Sequence, residues 1–139
     1  MKATIKWTGE ASFAGQADSG HTVMMDGAPE FGGRARGIRP MEAVLIGLGG
    51  CTAFDVISIL KKSRQQVTDC VAELEAERAD TAPKVFTRIQ VHFVVSGTRL
   101  DPKKVARAIE LSANKYCSAT AMLGKTAEIT HDFEIIEAP

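Results

Sequence analysis

The chain has no charge of one sign to spare. Lysine plus arginine and aspartate plus glutamate each number 17, so formal net charge is zero. Without a basic excess there is no electrostatic case for nucleic acid or an anionic membrane surface as a partner. The opening residues, MKATIKWTGEASF, hold no apolar run of the kind a secretory signal needs, and a cytoplasmic location is expected. No tract is low in complexity and none repeats. Cysteine is scarce, with three in 139 residues, about one domain's length. In a reducing compartment three cysteines make no disulfide scaffold, so any pair among Cys51, Cys70 and Cys117 is catalytic or simply buried.

Familiar site signatures are missing too. Leu123-Gly124-Lys125-Thr126 ends like a phosphate-binding loop, but the glycine it needs five residues before Gly124 is Ala119. Gly47-Leu48-Gly49-Gly50-Cys51 lies inside a helical run rather than between strand and helix, which excludes a dinucleotide fingerprint. No Cys-x-x-Cys or His-x-x-x-His pair gives recognisable metal spacing. Neither a metal nor an organic cofactor is expected.

What is present is one long apolar stretch, Arg39 to Lys62, with a cysteine at its middle. Pro40 suits a first helical turn, where its missing N–H costs nothing. Glu42 faces the positive end of the helix dipole, while Lys61, Lys62 and Arg64 meet the negative end. Between them the run is apolar nearly all the way round, which predicts a helix buried on most sides. It is long enough to span a bilayer. Asp55, Ser58 and the glycines favour a protein interior instead. Gly47, Gly49 and Gly50 together give up about 2–3 kcal/mol against alanine, and close approach of another backbone would compensate.

Around this helix the alternation of residues 2–7 predicts a strand, and a second follows at His21 to Met25. Residues 28–38, rich in glycine and carrying Arg34 and Arg36, read as a mobile loop. Val67 to Glu77 alternates, with Thr68, Cys70, Ala72, Leu74 and Ala76 on the apolar face, so Cys70 reads as a buried structural thiol. Phe86 to Ser96 turns Ile89, Val91, Phe93 and Val95 inward and His92 outward. Asp101 caps and Pro102 opens a helix to Tyr116 with Val105, Ala108, Ile109, Ser112 and Tyr116 on one face. A short helical turn begins at Cys117. A last strand, 127–137, places His131 inward as a satisfied core histidine. The order of elements predicts an α+β fold of antiparallel sheet plus helices, organised as a single domain over 1–139.

The segment RPMEAVLIGLGGCTAFDV, followed 66 residues after Cys51 by NKYCSAT, resembles the OsmC/Ohr family of osmotically inducible and organic-hydroperoxide resistance proteins, in its YhfA-like branch. The resemblance spans essentially the whole chain. It implies antiparallel sheets around a long buried central helix in an intertwined homodimer. It also implies reduction of hydroperoxides by a cysteine pair, with Cys51 attacking and Cys117 resolving, and a dithiol reductant. Three departures stand out: Met41 follows Pro40 where the family's peroxidases carry glutamate, the hairpin SFAGQADSGH holds no arginine, and Cys117 precedes Ser118 rather than proline. Glu42 matches the family's second acidic position.

An unperturbed thiol is only about 3% ionised at pH 7, so attack by Cys51 calls for a cation, with Arg34, Arg36 and Arg39 as candidates. Asp55, one turn beyond Cys51, would oppose ionisation unless it is itself paired. Glu42 precedes Cys51 by nine residues, which puts the two on opposite faces of one helix, about 13 Å apart along its axis. Two antiparallel helices crossing near Gly47 would instead bring Glu42 and Arg39 of one chain to Cys51 of the other. The rival reading is a non-enzymatic module that binds a small apolar molecule, with both cysteines as core thiols.

Overall fold

A computed structural model describes residues 1–139, which divide into two compact units, 1–46 and 47–139. The first unit is a three-stranded antiparallel sheet of β1 (Ala3–Gly9), β2 (Ser12–Ala17) and β3 (Thr22–Asp26), in that order. The middle strand, β2, escapes the sequence reading because Gly15 and two alanines interrupt its alternation. The loop that follows is not free. The buried Asp26 carboxylate accepts the backbone N–H groups of Gly27, Arg34 and Arg36 at 2.8, 2.9 and 3.1 Å. These bonds hold the carboxyl below its usual range, the Arg34 N–H contributing most. A loop expected to be mobile is therefore fastened at three points.

Helix α1 (Pro40–Lys62) runs unbroken through its glycines. Arg39 is its N-cap, and the Glu42 carboxylate reaches back to the Arg39 N–H at 2.8 Å, the acidic half of a capping box. Its length and composition alone would let α1 cross a bilayer. Its buried residues are Leu48, Gly49, Thr52, Val56 and Leu60, a stripe that recurs every four positions. Gly49 lies under this stripe because a Cβ there would stand 2.9 Å from Leu74 Cδ1. The expectation of burial on most sides holds for this one face only. Ile46 and Phe54 are 61% and 75% exposed, and a Cβ at Gly47 or Gly50 would meet nothing within 4 Å.

The second unit builds its core on a sheet of β4 (Gln66–Arg78), β5 (Phe86–Thr98) and β6 (Glu128–Glu137). Ile89, Val91, Phe93 and Val95 of β5 are fully buried, as their alternation predicts. In β4 the inward set begins one residue away from the expected one. A bulge leaves Thr68 unpaired between Val67 and Asp69, so Val67 is turned in and Thr68 out. Strands β4 and β5 pair antiparallel, but β5 and β6 pair parallel, a departure from the all-antiparallel expectation. Residues 99–127 make this possible by supplying a helical crossover long enough to return the chain.

That crossover holds α2 (Pro102–Leu111), a π turn over Ser112–Tyr116, and α3 (Ser118–Leu123). Asp101 caps α2 as expected, accepting the Lys103 N–H at 2.9 Å. The expected helix stops short, because the wider π turn inserts at Ser112. Tyr116 consequently turns outward, 50% exposed, instead of continuing the buried face of Val105, Ala108 and Ile109.

Candidate functional site

Helix α1 and the crossover meet where two buried hydroxyls face each other. Thr52 and Ser112 are both fully buried, and their oxygens lie 2.8 Å apart. Ser112 Oγ also donates to Asp55 Oδ2 at 3.0 Å. One proton cannot serve both contacts, so Thr52 donates to Ser112 and Ser112 donates to the carboxylate. The π turn closes behind this chain through the Cys117 N–H, which donates to the Ser112 carbonyl at 2.9 Å. One network thus sets both the carboxylate of α1 and the backbone position of Cys117.

Cys51 and Asp55 project from one face of α1, four residues apart. The sulfurs of Cys51 and Cys117 and a carboxylate oxygen of Asp55 all lie within 4.8 Å of one another. The two thiols differ in access, since Cys51 is half-buried while Cys117 is only 3% exposed. Cys117 is the N-cap of α3, and its sulfur accepts the Thr120 N–H at 3.3 Å. Burial pushes the Cys117 thiol up. The Thr120 N–H bond to the sulfur pulls against that rise, and the adjacent Cys51 adds to it.

The structure therefore joins Cys51 with Cys117 and adds Asp55 as their third member. Arg39 and Glu42 pair with each other at the start of α1, through the Arg39 N–H. Arg34 and Arg36 both face Glu10, at 2.9 and 4.0 Å, so within the chain their guanidinium groups already have a carboxylate. Arg39 forms no ion pair.

The sequence reading missed the Thr52–Ser112–Asp55 chain. The available signal was a hydroxyl on the apolar face of each of two helices, since buried hydroxyls need partners. Cys70 is half-buried rather than enclosed. It lines an open apolar cleft of about 470 Å³ with Gly50, Ala53, Phe54, Ile57, Ser58 and Lys61. Burial, followed by the charge of Asp69, pushes its thiol up. His131 stacks on Phe93 with ring centroids 6.5 Å apart, but its buried Nε2 has no partner, so it is not the satisfied core histidine expected.

The family model described as OsmC-like protein matches residues 32–132. The chain belongs to the OsmC-like protein family. It is 48% identical over 138 residues to Protein YhfA of Escherichia coli K12, covering 99% of this chain and all of that one. A hypothetical protein from Aquifex aeolicus VF5 is 28% identical, with a TM-score of 0.88 over 99% of this chain and 97% of its own. The organic hydroperoxide resistance protein OhrB of Bacillus subtilis shares the fold at a TM-score of 0.63, with 16% identity and 96% of each chain covered. The OsmC/Ohr resemblance read from Arg39–Val56 and Asn114–Thr120 is thus met along the whole chain.

Proposed function

We propose that this protein is a cysteine-based peroxidase that reduces organic hydroperoxides. The observation that carries the reading is the pair of sulfurs, half-buried Cys51 and buried Cys117, within 4.8 Å of each other. The Cys51 thiolate attacks the distal oxygen of a hydroperoxide, the O–O bond breaks, and the alcohol leaves with a proton. The resulting Cys51 sulfenic acid condenses with the Cys117 thiol, forming a disulfide and releasing water. An external dithiol then reduces the disulfide. The name of the OhrB neighbour agrees with this chemistry.

In this reading the working unit is a cytoplasmic homodimer, with 1–139 folding as one domain. The unpartnered strip of α1, comprising Gly47, Gly50, Phe54 and Ile57, is spaced for a second helix. An antiparallel copy crossing near Gly47 brings Arg39 and Glu42 of the other chain to Cys51. Arg39, without an ion pair of its own, supplies the cation that the thiolate requires.

A second reading, a binder of small apolar molecules, rests on the cleft beside Phe54 and Cys70. Dithiol-dependent loss of cumene hydroperoxide separates the two. Consumption by the wild type but not by Cys51→Ser supports the peroxidase, and absence of turnover in both supports the binder.

A further inference from the structure

We infer that the reduced protein binds one thiophilic divalent cation, of the zinc and cadmium class, through Cys51, Asp55 and Cys117. A tetrahedral zinc ion with Zn–S bonds of about 2.3 Å and Zn–O bonds of about 2.0–2.2 Å sets its ligands roughly 3.5–3.8 Å apart. The three ligand atoms already lie within 4.8 Å of one another, so a contraction of about 1 Å closes the site. Cys51 and Asp55 come from adjacent turns of one helix face, and Cys117 is fixed by its place at the start of α3.

The surroundings are those of a metal site rather than of a bare cysteine pair. Asp55 Oδ2 is held by Ser112, which is itself held by Thr52, and the second carboxylate oxygen receives no hydrogen bond. Cys117 Sγ is oriented by the Thr120 N–H. Such partners commonly fix and tune metal ligands from behind. Charge points the same way. Two thiolates beside a carboxylate make three negative charges; within the chain no lysine, arginine or histidine forms an ion pair with Asp55, and the single Arg39 of the proposed dimer would offset only one of the three. Two thiolates and one oxygen select a soft cation and reject magnesium and calcium. Three protein ligands leave a fourth position for water or an added ligand.

Binding displaces one proton from each thiol to solvent as the two metal–sulfur bonds form, with no change of oxidation state. Affinity therefore rises with pH. Because a Cys51–Cys117 disulfide would consume both sulfur ligands, metal and disulfide exclude each other. The site requires reduced thiols but not peroxidase turnover, so it stands even if the protein reduces no hydroperoxide.

The test is titration of anaerobic, fully reduced, metal-free protein with Co²⁺ or Cd²⁺, read by the thiolate-to-metal charge-transfer band. One ion per chain is expected, lost in Cys51→Ser and in Cys117→Ser and retained in Cys70→Ser. Asp55→Asn should weaken binding at least about tenfold, a loss that even an outer partner produces. Bound cadmium should also protect Cys51, but not Cys70, from alkylation in the wild type, a readout that needs no variant to fold. No band at one equivalent, a band that depends on Cys70, or an affinity indifferent to Asp55→Asn would each overturn the assignment.

Discussion

Ser112 Oγ donates to Asp55 Oδ2 at 3.0 Å and ties the π turn to helix α1 at the level of the cysteine pair. The bond crosses 57 residues of sequence, and its donor is fully buried. Ser112→Ala removes the acceptor for the Thr52 hydroxyl and the donor for Asp55 in one step. Leaving buried polar groups unpaired costs about 1–3 kcal/mol. Urea denaturation should show a loss in that range, with the midpoint lowered and the slope unchanged. The double variant Ser112→Ala with Thr52→Val should recover part of it, because no hydroxyl is then stranded. A Ser112→Ala loss below about 0.5 kcal/mol would show that the chain does not act as a unit.

Two glycines of α1, Gly49 and Gly47, make opposite predictions within one helix. Replacing a helical glycine by alanine gains about 0.8–1 kcal/mol of propensity. At Gly49 the new Cβ would press on Leu74 Cδ1 at 2.9 Å, and overpacking costs typically about 1–3 kcal/mol. Gly49→Ala should therefore be neutral to destabilising, and Leu74→Val should relieve it. At Gly47 the chain itself offers open space, so in the proposed dimer the penalty there comes from the second copy. Gly47→Leu should convert a dimer to monomer in sedimentation, and Cys51 alkylation at pH 6 should slow with it. A folded monomeric variant whose Cys51 labels as fast as wild type would refute the shared site.

Much of this is legible in the sequence, for identifiable reasons. Ile89, Val91, Phe93 and Val95 alternate without interruption, and Asp101-Pro102 is a start signal that little else imitates. The Cys51–Cys117 pairing came from resemblance, since 66 residues of separation carry no spacing rule. The errors arose where one residue shifts a period. The bulge at Thr68 exchanges the faces of β4 at its start, and the π turn at Ser112 rotates Tyr116 out of the apolar stripe. Neither has a compositional mark. The Asp26 anchor was hidden differently, because a carboxylate that gathers N–H groups from the loop after it depends on how that loop folds.

Two histidines should give stability a maximum near pH 6.5. His92 Nδ1 lies 2.7 Å from Asp132 Oδ1, and that hydrogen bond raises its pKa, with Asp132, Glu134 and Glu73 adding their charges. A raised histidine contributes stability below its unfolded value that is lost as pH climbs through its folded value. His131 shifts the opposite way, because burial disfavours its charged form. Its contribution is complete above the unfolded value, about 6.5, and is lost as pH falls towards its folded one. Urea midpoints between pH 5 and 8 should therefore decline on both sides. His92→Asn should flatten the alkaline side and His131→Phe the acid side; a monotonic wild-type profile would contradict the pair.

The three cysteines should separate by role. In the proposed cycle Cys51→Ser removes the attacking sulfur and should abolish hydroperoxide consumption. Cys117→Ser leaves Cys51 able to form a sulfenic acid with nothing to condense with, so it should stop after one equivalent and then over-oxidise or trap added thiol. Cys70→Ser should stay within a few-fold of wild type, since burial and Asp69 keep that thiol protonated. The pH dependence of the second step is sharper evidence. Attack on the sulfenic acid requires the Cys117 thiolate, and burial holds that thiol above its ordinary range. Across neutral pH its ionised fraction therefore grows about tenfold per unit. Rapid mixing with one equivalent of hydroperoxide, followed by a sulfenic-acid trap at timed intervals, should show a sulfenic intermediate that persists at pH 6 and vanishes by pH 8. Mass spectrometry of the product should find the Cys51–Cys117 linkage. A linkage through Cys70, or a condensation rate flat with pH, would mean that the buried sulfur of Cys117 is not the one that closes the cycle.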